Sequence, residues 1–283
     1  MNAVLFINLF KKEAAGLAEQ IKETLEKRGV NVTLYSFEGK SAELPQGLFD
    51  IAFSLGGDGT VLYTARCLAQ KNIPILPVNL GTFGFIAEVN IDEWLTVFDK
   101  WQKGDLQPVN RCMFQITVER GSKTIMNNVC LNDAVVSYTE IAKLIKIDVC
   151  FGDTDLGTYR CDGFVVATPT GSTAYSMAAG GPILDPEMEA MILNPICPFA
   201  LSNRPLVVPS RQTLVITVAE KQRSGVLLTI DGQDTFALEH SDKIYIKQAP
   251  FCAQLIYNGR SAYYSALRSK LFLTAEDDRG NHA

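Results

Sequence analysis

The first hundred residues alternate short apolar runs with amphipathic helical stretches, and that order leaves few folds open. Residues 4–8 are a short apolar run. Ala14, Leu17, Ala18, Ile21 and Leu25 then recur at three- and four-residue spacing among Lys and Glu, and Gly29 is placed to end the segment. This is the period of a helix with one buried face and a glycine stop. Residues 30–35 alternate as a strand, 51–55 form a buried run ending in glycines, and 61–69 return to helical period. Residues 75–78 read as strand and 91–101 as helix, with Asp92 and Glu93 near its N-terminus. Strand–helix alternation implies an open, mostly parallel sheet with helices on its faces, an α/β domain of Rossmann-like layout. Ligands of such sheets bind beyond the carboxyl ends of the strands. Two glycine-rich turns fall there, after Leu55 and after Val78.

The pattern changes near Gly104. Residues 114–119, 144–150, 164–167, 214–219, 226–230 and 243–247 are β-branched or alternating. Gly121-Ser122, Gly152-Asp153 and Asp231-Gly232 punctuate them. The expectation is a mainly antiparallel β-domain, with one helix around 186–192. A last helix, 261–273, is expected to pack back on the first domain. The resulting division is 1–105, 106–260 and 261–283, with 276–283 expected to be disordered.

Composition excludes several classes. The 283 residues carry a net charge of −5 with no dense basic run, which argues against nucleic acid as a partner. No apolar stretch reaches the roughly 18–20 residues of a membrane helix. The N-terminal run lacks the basic flank and length of a secretory signal. A cytoplasmic location is therefore expected. Seven cysteines, an odd number without C-x-x-C spacing, read as free thiols rather than metal ligands or disulfides. There are two histidines, His240 and His282, so proton transfer should fall to a carboxylate.

Three segments carry chemistry. In Gly56-Gly57-Asp58-Gly59-Thr60 a buried strand meets a helix through glycines, a turn whose amides suit phosphate. The Walker pattern is absent. A carboxylate beside phosphates needs a task, and Asp58 has two readings: a proton acceptor or water-mediated Mg²⁺ holder, or a helix cap in a tight turn. The second segment, Asn79-Leu80-Gly81-Thr82-Phe83-Gly84-Phe85-Ile86, is a ligand turn or an ordinary strand–helix connection. In the third, residues 162–176, a strand ends in small hydroxylated residues and Tyr175, and no charge occurs from 163 through 184. Hydroxyls and amides there can surround a polar ligand on which Tyr175 stacks. The plainer reading is a Ser/Thr-rich surface loop. Asn132-Asp133 and the run Thr229-Ile230-Asp231-Gly232-Gln233 fit either nucleoside contacts or turns.

Together, residues 56–60, 79–85, 132–133 and 162–182 resemble the NAD kinase family in order and spacing, over roughly residues 5–271. The glycine turn alone is shared with diacylglycerol and sphingosine kinases, and phosphofructokinases carry a close variant. The run Thr168-Pro169-Thr170-Gly171-Ser172-Thr173-Ala174-Tyr175 is far more specific.

The resemblance implies an α/β N-terminal Rossmann-like domain and a mainly-β, sandwich-like C-terminal domain. It implies transfer of the terminal phosphoryl of ATP, or of other nucleoside triphosphates or polyphosphate in some members, with Mg²⁺ or another divalent metal. The acceptor is the 2′-hydroxyl of the adenosine ribose of NAD, and the product is NADP. It also implies a homodimer or homotetramer in which a neighbouring subunit helps close the NAD site. By position, Asp58 matches the proton acceptor, Gly59 its phosphate-side neighbour, and Gly56, Gly57 and Thr60 the phosphate turn. Asn132 and Asp133 match a pair holding the adenosine, and Arg160 and Asp162 match residues near it. Thr173, Ala174, Tyr175 and Ser176 match the run lining the NAD site, and Gln233 a more variable contact. No residue is matched to a resident metal. Asp133 stands where glutamate is usual, so its carboxylate reaches one methylene less far. A lipid kinase is the rival enzyme, but it needs an acyl groove and leaves 162–182 without a role. A non-catalytic NAD sensor leaves Asp58 without one.

Overall fold

Strand β1 (Asn2–Asn8) carries five consecutive buried residues, and β3 (Ile51–Gly56) and β4 (Ile75–Asn79) are buried throughout. Runs apolar on both faces are what a parallel sheet covered by helices demands. The computed structural model describes residues 1–38, 46–81, 84–139, 144–200, 202–222, 225–257 and 260–271. It divides into two compact units, Met1–Asn110 with Ala253–Ala283, and Arg111–Cys252.

In the first unit the parallel order is β4-β3-β1-β2, with β2 at Asn31–Phe37 and the short β5 (Val89–Asn90) on β4. Helix α1 (Lys12–Glu26) buries Ala14, Leu17, Ala18, Ile21 and Leu25, the five residues whose spacing predicts it. Helix α2 (Asp58–Leu68) follows β3 directly, and α3 (Trp94–Gln102) sets Trp94 and Phe98 against Phe53 with ring centroids 5.9 and 5.8 Å apart. Gly56 pairs with Asn79, so both glycine turns leave the sheet at the same level.

The second unit is antiparallel. Its strands are β6 (Val109–Arg120), β7 (Lys123–Cys130), β8 (Asp133–Tyr138), β9 (Ile145–Phe151), β10 (Thr154–Cys161) and β11 (Gly163–Ala167). After the one-turn helix α4 (Tyr175–Ala178) come β12 (Ala190–Ile196), β13 (Leu206–Pro209), β14 (Leu214–Val218), β15 (Val226–Ile230), β16 (Asp234–Leu238) and β17 (Lys243–Leu255). One sheet has the order β13-β12-β11-β8-β15-β16. The other runs β10-β9-β14-β17, with β6 paired to β17 and β7. Alternate residues of both, among them Phe114, Val136, Ile147, Phe164, Leu193, Ile216 and Leu228, share one buried core. That is a β-sandwich.

Three expectations change. Residues 186–192 are not a helix: 190–196 form β12, paired to β11 and β13 on its two sides. A short apolar run buried on both faces has no period that separates strand from helix. The unit boundary falls at 110/111, and the return to the first unit begins at 253 rather than 261. The end of β17 is the reason, since Leu255 pairs with Ile75 and the Ile256 amide donates to the Ile75 carbonyl at 2.8 Å. The last helix, α5, spans Arg260–Leu271. Residues 276–283 lie outside the described residues. Among the described residues no helix is long and apolar enough to cross a membrane.

Candidate active site

The glycine turn of the first unit starts helix α2. Gly57 is its N-cap and offers no side-chain cap, so the first-turn amides of this eleven-residue helix have no side-chain acceptor from the cap position. Thr60 is buried, its hydroxyl accepts from Asn8 Nδ2 at 3.1 Å, and its amide donates to the Gly57 carbonyl at 2.9 Å. Its side chain thus braces the turn, in which Gly57 is half-buried and Gly59 exposed.

Asp58 does not cap its own helix. Its carboxylate accepts two amides of the second glycine segment and the one that follows it: Phe85 on Oδ2 at 2.9 Å, and Ile86 and Ala87 on Oδ1 at 3.2 and 2.9 Å. A Cβ on Gly84 would lie 1.8 Å from Asp58 Oδ1, so only glycine admits this approach. The Leu80 amide also donates to the Gly56 carbonyl at 2.9 Å. The two segments, separate in sequence, therefore form one structure. A carboxylate has about four acceptor positions. Among the described residues three are filled, two on Oδ1 and one on Oδ2. Thr82 and Phe83 lie outside the described residues.

In the second unit a cavity of about 380 Å³ is lined by Asn132, Asp133, Val135, Ser137, Ala174, Tyr175, Thr229, Asp231 and Gly232. Its floor follows from strand alternation. Asp133, Val135 and Ser137 of β8 face it, while Ala134 and Val136 enter the sandwich core. Its wall is set by the Thr168–Tyr175 run. Thr168 Oγ1 donates to the Leu131 carbonyl at 2.5 Å, and its amide to the Asn132 carbonyl at 2.8 Å. A Cβ on Gly171 would come within 2.1 Å of that same Asn132 oxygen. Tyr175 is half exposed, leaving its ring accessible. Asn132 Oδ1 is buried without a hydrogen-bond partner. The Asp133 carboxyl is pushed up to about 7, first by burial and then by the charge of Asp231.

Other residues singled out by sequence stand elsewhere. Thr173 is buried, its hydroxyl bonded to the Thr170 carbonyl at 3.2 Å. Ser176 is fully buried, and its carbonyl and hydroxyl accept from Asn194 Nδ2 at 3.0 and 3.4 Å. Arg160 is exposed, its guanidinium 4.7 Å from the Phe199 ring centroid. Asp162 joins β10 to β11, and its amide donates to the Ile196 carbonyl at 2.9 Å. Gln233 sits exposed in the β15–β16 turn. None of these five lines the cavity. Val135 and Ser137 do, and the one sequence signal for them is the two-residue period of β8; Thr229, Asp231 and Gly232 of the 229–233 run line it as well.

A family model described as the ATP-NAD kinase C-terminal domain matches residues 131–257, and one described as the ATP-NAD kinase N-terminal domain matches 41–106. An NAD kinase of Treponema denticola is 41% identical over 270 residues, 95% of each chain. The chain belongs to the NAD kinase family. An NAD kinase of Geotalea daltonii is 33% identical over 276 residues, 94% of this chain and 96% of that one. An NAD kinase from Archaeoglobus fulgidus, solved in complex with ATP, matches with a TM-score of 0.76 and 25% identity, over 94% of this chain and 97% of that one. Yeast NADH kinase, complexed with NADH, shares the fold at a TM-score of 0.81 and 24% identity, over 96% and 87%. NAD kinase membership makes the chain a phosphotransferase. Because both matched domains are NAD kinase domains, the lipid-kinase and sensor readings have no support.

Proposed function

We propose that this chain transfers the terminal phosphoryl of ATP to the 2′-hydroxyl of the adenosine ribose of NAD, releasing ADP and NADP. The observation that carries the reading is the cavity of the second unit. Asn132, Asp133, Ala174 and Tyr175, distant in sequence and each part of an acceptor-specific motif, converge there.

In this reading the adenosine occupies that cavity. Tyr175 stacks on a ring, Asn132 Oδ1 accepts a ligand N–H, and Asp133 meets the ribose hydroxyls. An unpaired buried acceptor costs about 1–3 kcal/mol, so a ligand donor there gains affinity. Arg160, Asp162, Thr173, Ser176 and Gln233 are assigned the supporting roles their positions imply: Thr173 and Ser176 hold the wall, and the exposed Arg160 and Gln233 and the half-buried Asp162 are read as peripheral contacts to the ligand or to a neighbouring subunit.

The first unit supplies the donor side. The amides of Gly56, Gly57 and Gly59 and the α2 N-terminus hold phosphate, with Thr60 bracing them. Asp58 Oδ2 accepts the proton of the 2′-hydroxyl as that oxygen bonds the γ-phosphorus and the bond to the β–γ bridging oxygen breaks. Phosphoryl transfer needs positioning and charge neutralisation more than covalent help. Among the described residues no group of three or more His, Cys, Asp or Glu is placed to hold a metal ion. Three acceptor positions of Asp58 are also filled. Mg²⁺ or another divalent metal is therefore read as part of the substrate, carried in on the ATP phosphates, rather than as an ion held by the described residues alone.

The assay is NADP formation from NAD and Mg²⁺, with ATP, other nucleoside triphosphates and polyphosphate as parallel donors and diacylglycerol as a control acceptor. NADP is expected with ATP. Its absence with every donor would overturn the reading. A homodimer or homotetramer is part of the proposal, supported by edge strand β13, which leaves Leu206 and Val207 40% and 46% exposed. An apolar edge of that kind is usually covered. Sedimentation at equilibrium tests it. Seven free cysteines favour a reducing cytoplasm.

A further inference from the structure

Asp231 occupies a hairpin turn, where an aspartate is normally a solvated turn former. Here it is 7% exposed. Asp231 and Gly232 have φ of 50° and 66°, and the Gln233 amide closes the turn on the Ile230 carbonyl at 2.9 Å. Two successive left-handed residues make the mirror-image turn that suits tight hairpins, and asparagine or aspartate followed by glycine serves it equally well. Turn formation alone therefore does not call for a carboxylate.

The carboxylate has other partners. Oδ2 accepts the Leu131 amide at 3.0 Å, and Oδ1 accepts those of Asn132 and Asp133 at 2.7 and 3.2 Å. The Asp231 amide in turn donates to the Asp133 carbonyl at 2.9 Å. Three successive amides around one anion form a nest, here filled from about a hundred residues away. Residues 131–132 lie between β7 and β8, outside the strand ladder. Their backbone is fixed by this carboxylate on one side and by Thr168 on the other.

We infer that Asp231 is a positioning residue for the acceptor nucleotide: its carboxylate seats the 131–133 backbone so that Asn132 and Asp133 present their side chains to the cavity. The inference rests on the NAD reading above. It separates two duties of one residue, the turn and the anchor, and Asp231→Asn divides them. Asparagine keeps the turn and can accept through its one oxygen. Its NH₂ faces amide donors and cannot accept, so at least one anchoring bond is lost.

The test is steady-state kinetics of Asp231→Asn beside the unaltered chain. Loss of a charge-assisted hydrogen bond predicts a rise of about tenfold or more in KM for NAD. KM for ATP and kcat should stay within about threefold. An unchanged KM for NAD, or equal rises for NAD and ATP, would overturn the inference. If the unaltered chain makes no NADP, the functional reading itself has failed, which is a different result. Amide hydrogen exchange on the unaltered chain decides independently of whether the variant folds. Slow exchange at Leu131, Asn132 and Asp133 supports the anchor, and exchange at the rate of open loops overturns it.

Discussion

At the scale of single residues, Asp58 does more than its place in a glycine turn suggests. Its carboxylate ties down the amides of 85–87, with two bonds on Oδ1 and one on Oδ2 among the described residues. Asp58→Asn puts an NH₂ against N–H donors as well as removing the base. Turnover is expected to fall by roughly two decades or more, the lower end of general-base contributions, with faster amide exchange at 85–87. Full activity in this variant would remove both roles. Asp133 carries a pH signature. Its folded carboxyl titrates near 7, while an unfolded aspartate titrates near 4. Between those values the folded chain holds a proton that the unfolded chain has released, so stability falls as pH rises. The penalty is complete above about pH 7 and absent below about pH 4. Asp133→Asn should flatten this window, visible as a smaller difference in unfolding midpoint between pH 5 and pH 8.

At the scale of elements, the run 168–175 works as a bracket. Thr168 and Gly171 clasp the Leu131–Asn132 backbone, and Ala174 and Tyr175 face the cavity. Gly171→Ala must move either this bracket or the Asn132 carbonyl. We expect KM for NAD to rise about tenfold or more, with a destabilisation of about 1–3 kcal/mol from overpacking. Kinetics and urea unfolding measure the two effects. The amphipathic α1 and the buried strands β3 and β4 were legible because period and continuous apolarity express local rules. Strands β7, β10 and β16 were not, because their sequences are polar and pairing alone recruits them. The expected helix at 186–192 overlaps the start of β12, whose two-sided burial erases its period.

At the scale of the whole molecule, the first unit is built from both ends of the chain. Leu255 and Ile256 meet Ile75, and α5 follows. A chain ending at Cys252 should keep the sequence of the second unit yet destabilise the first. Both tryptophans, Trp94 and Trp101, belong to the first unit. Their fluorescence should therefore report a transition shifted to lower urea, and an unshifted transition would show that the returning segment contributes nothing.

The sequence by itself determined the order of elements, the two kinds of sheet, both glycine turns and the candidate residues Asn132, Asp133, Ala174 and Tyr175. Periodicity, turn chemistry and family-like spacing are local, and they survive in one dimension. Only the tertiary structure decided which candidates share a cavity. It set Thr173 and Ser176 into the wall, added Val135 and Ser137 to the lining, joined Asp58 to Gly84–Ala87, and placed Asp231 beneath residues 131–133. Those arrangements depend on strand register and on hydrogen bonds between segments up to about a hundred residues apart, for which no local pattern exists.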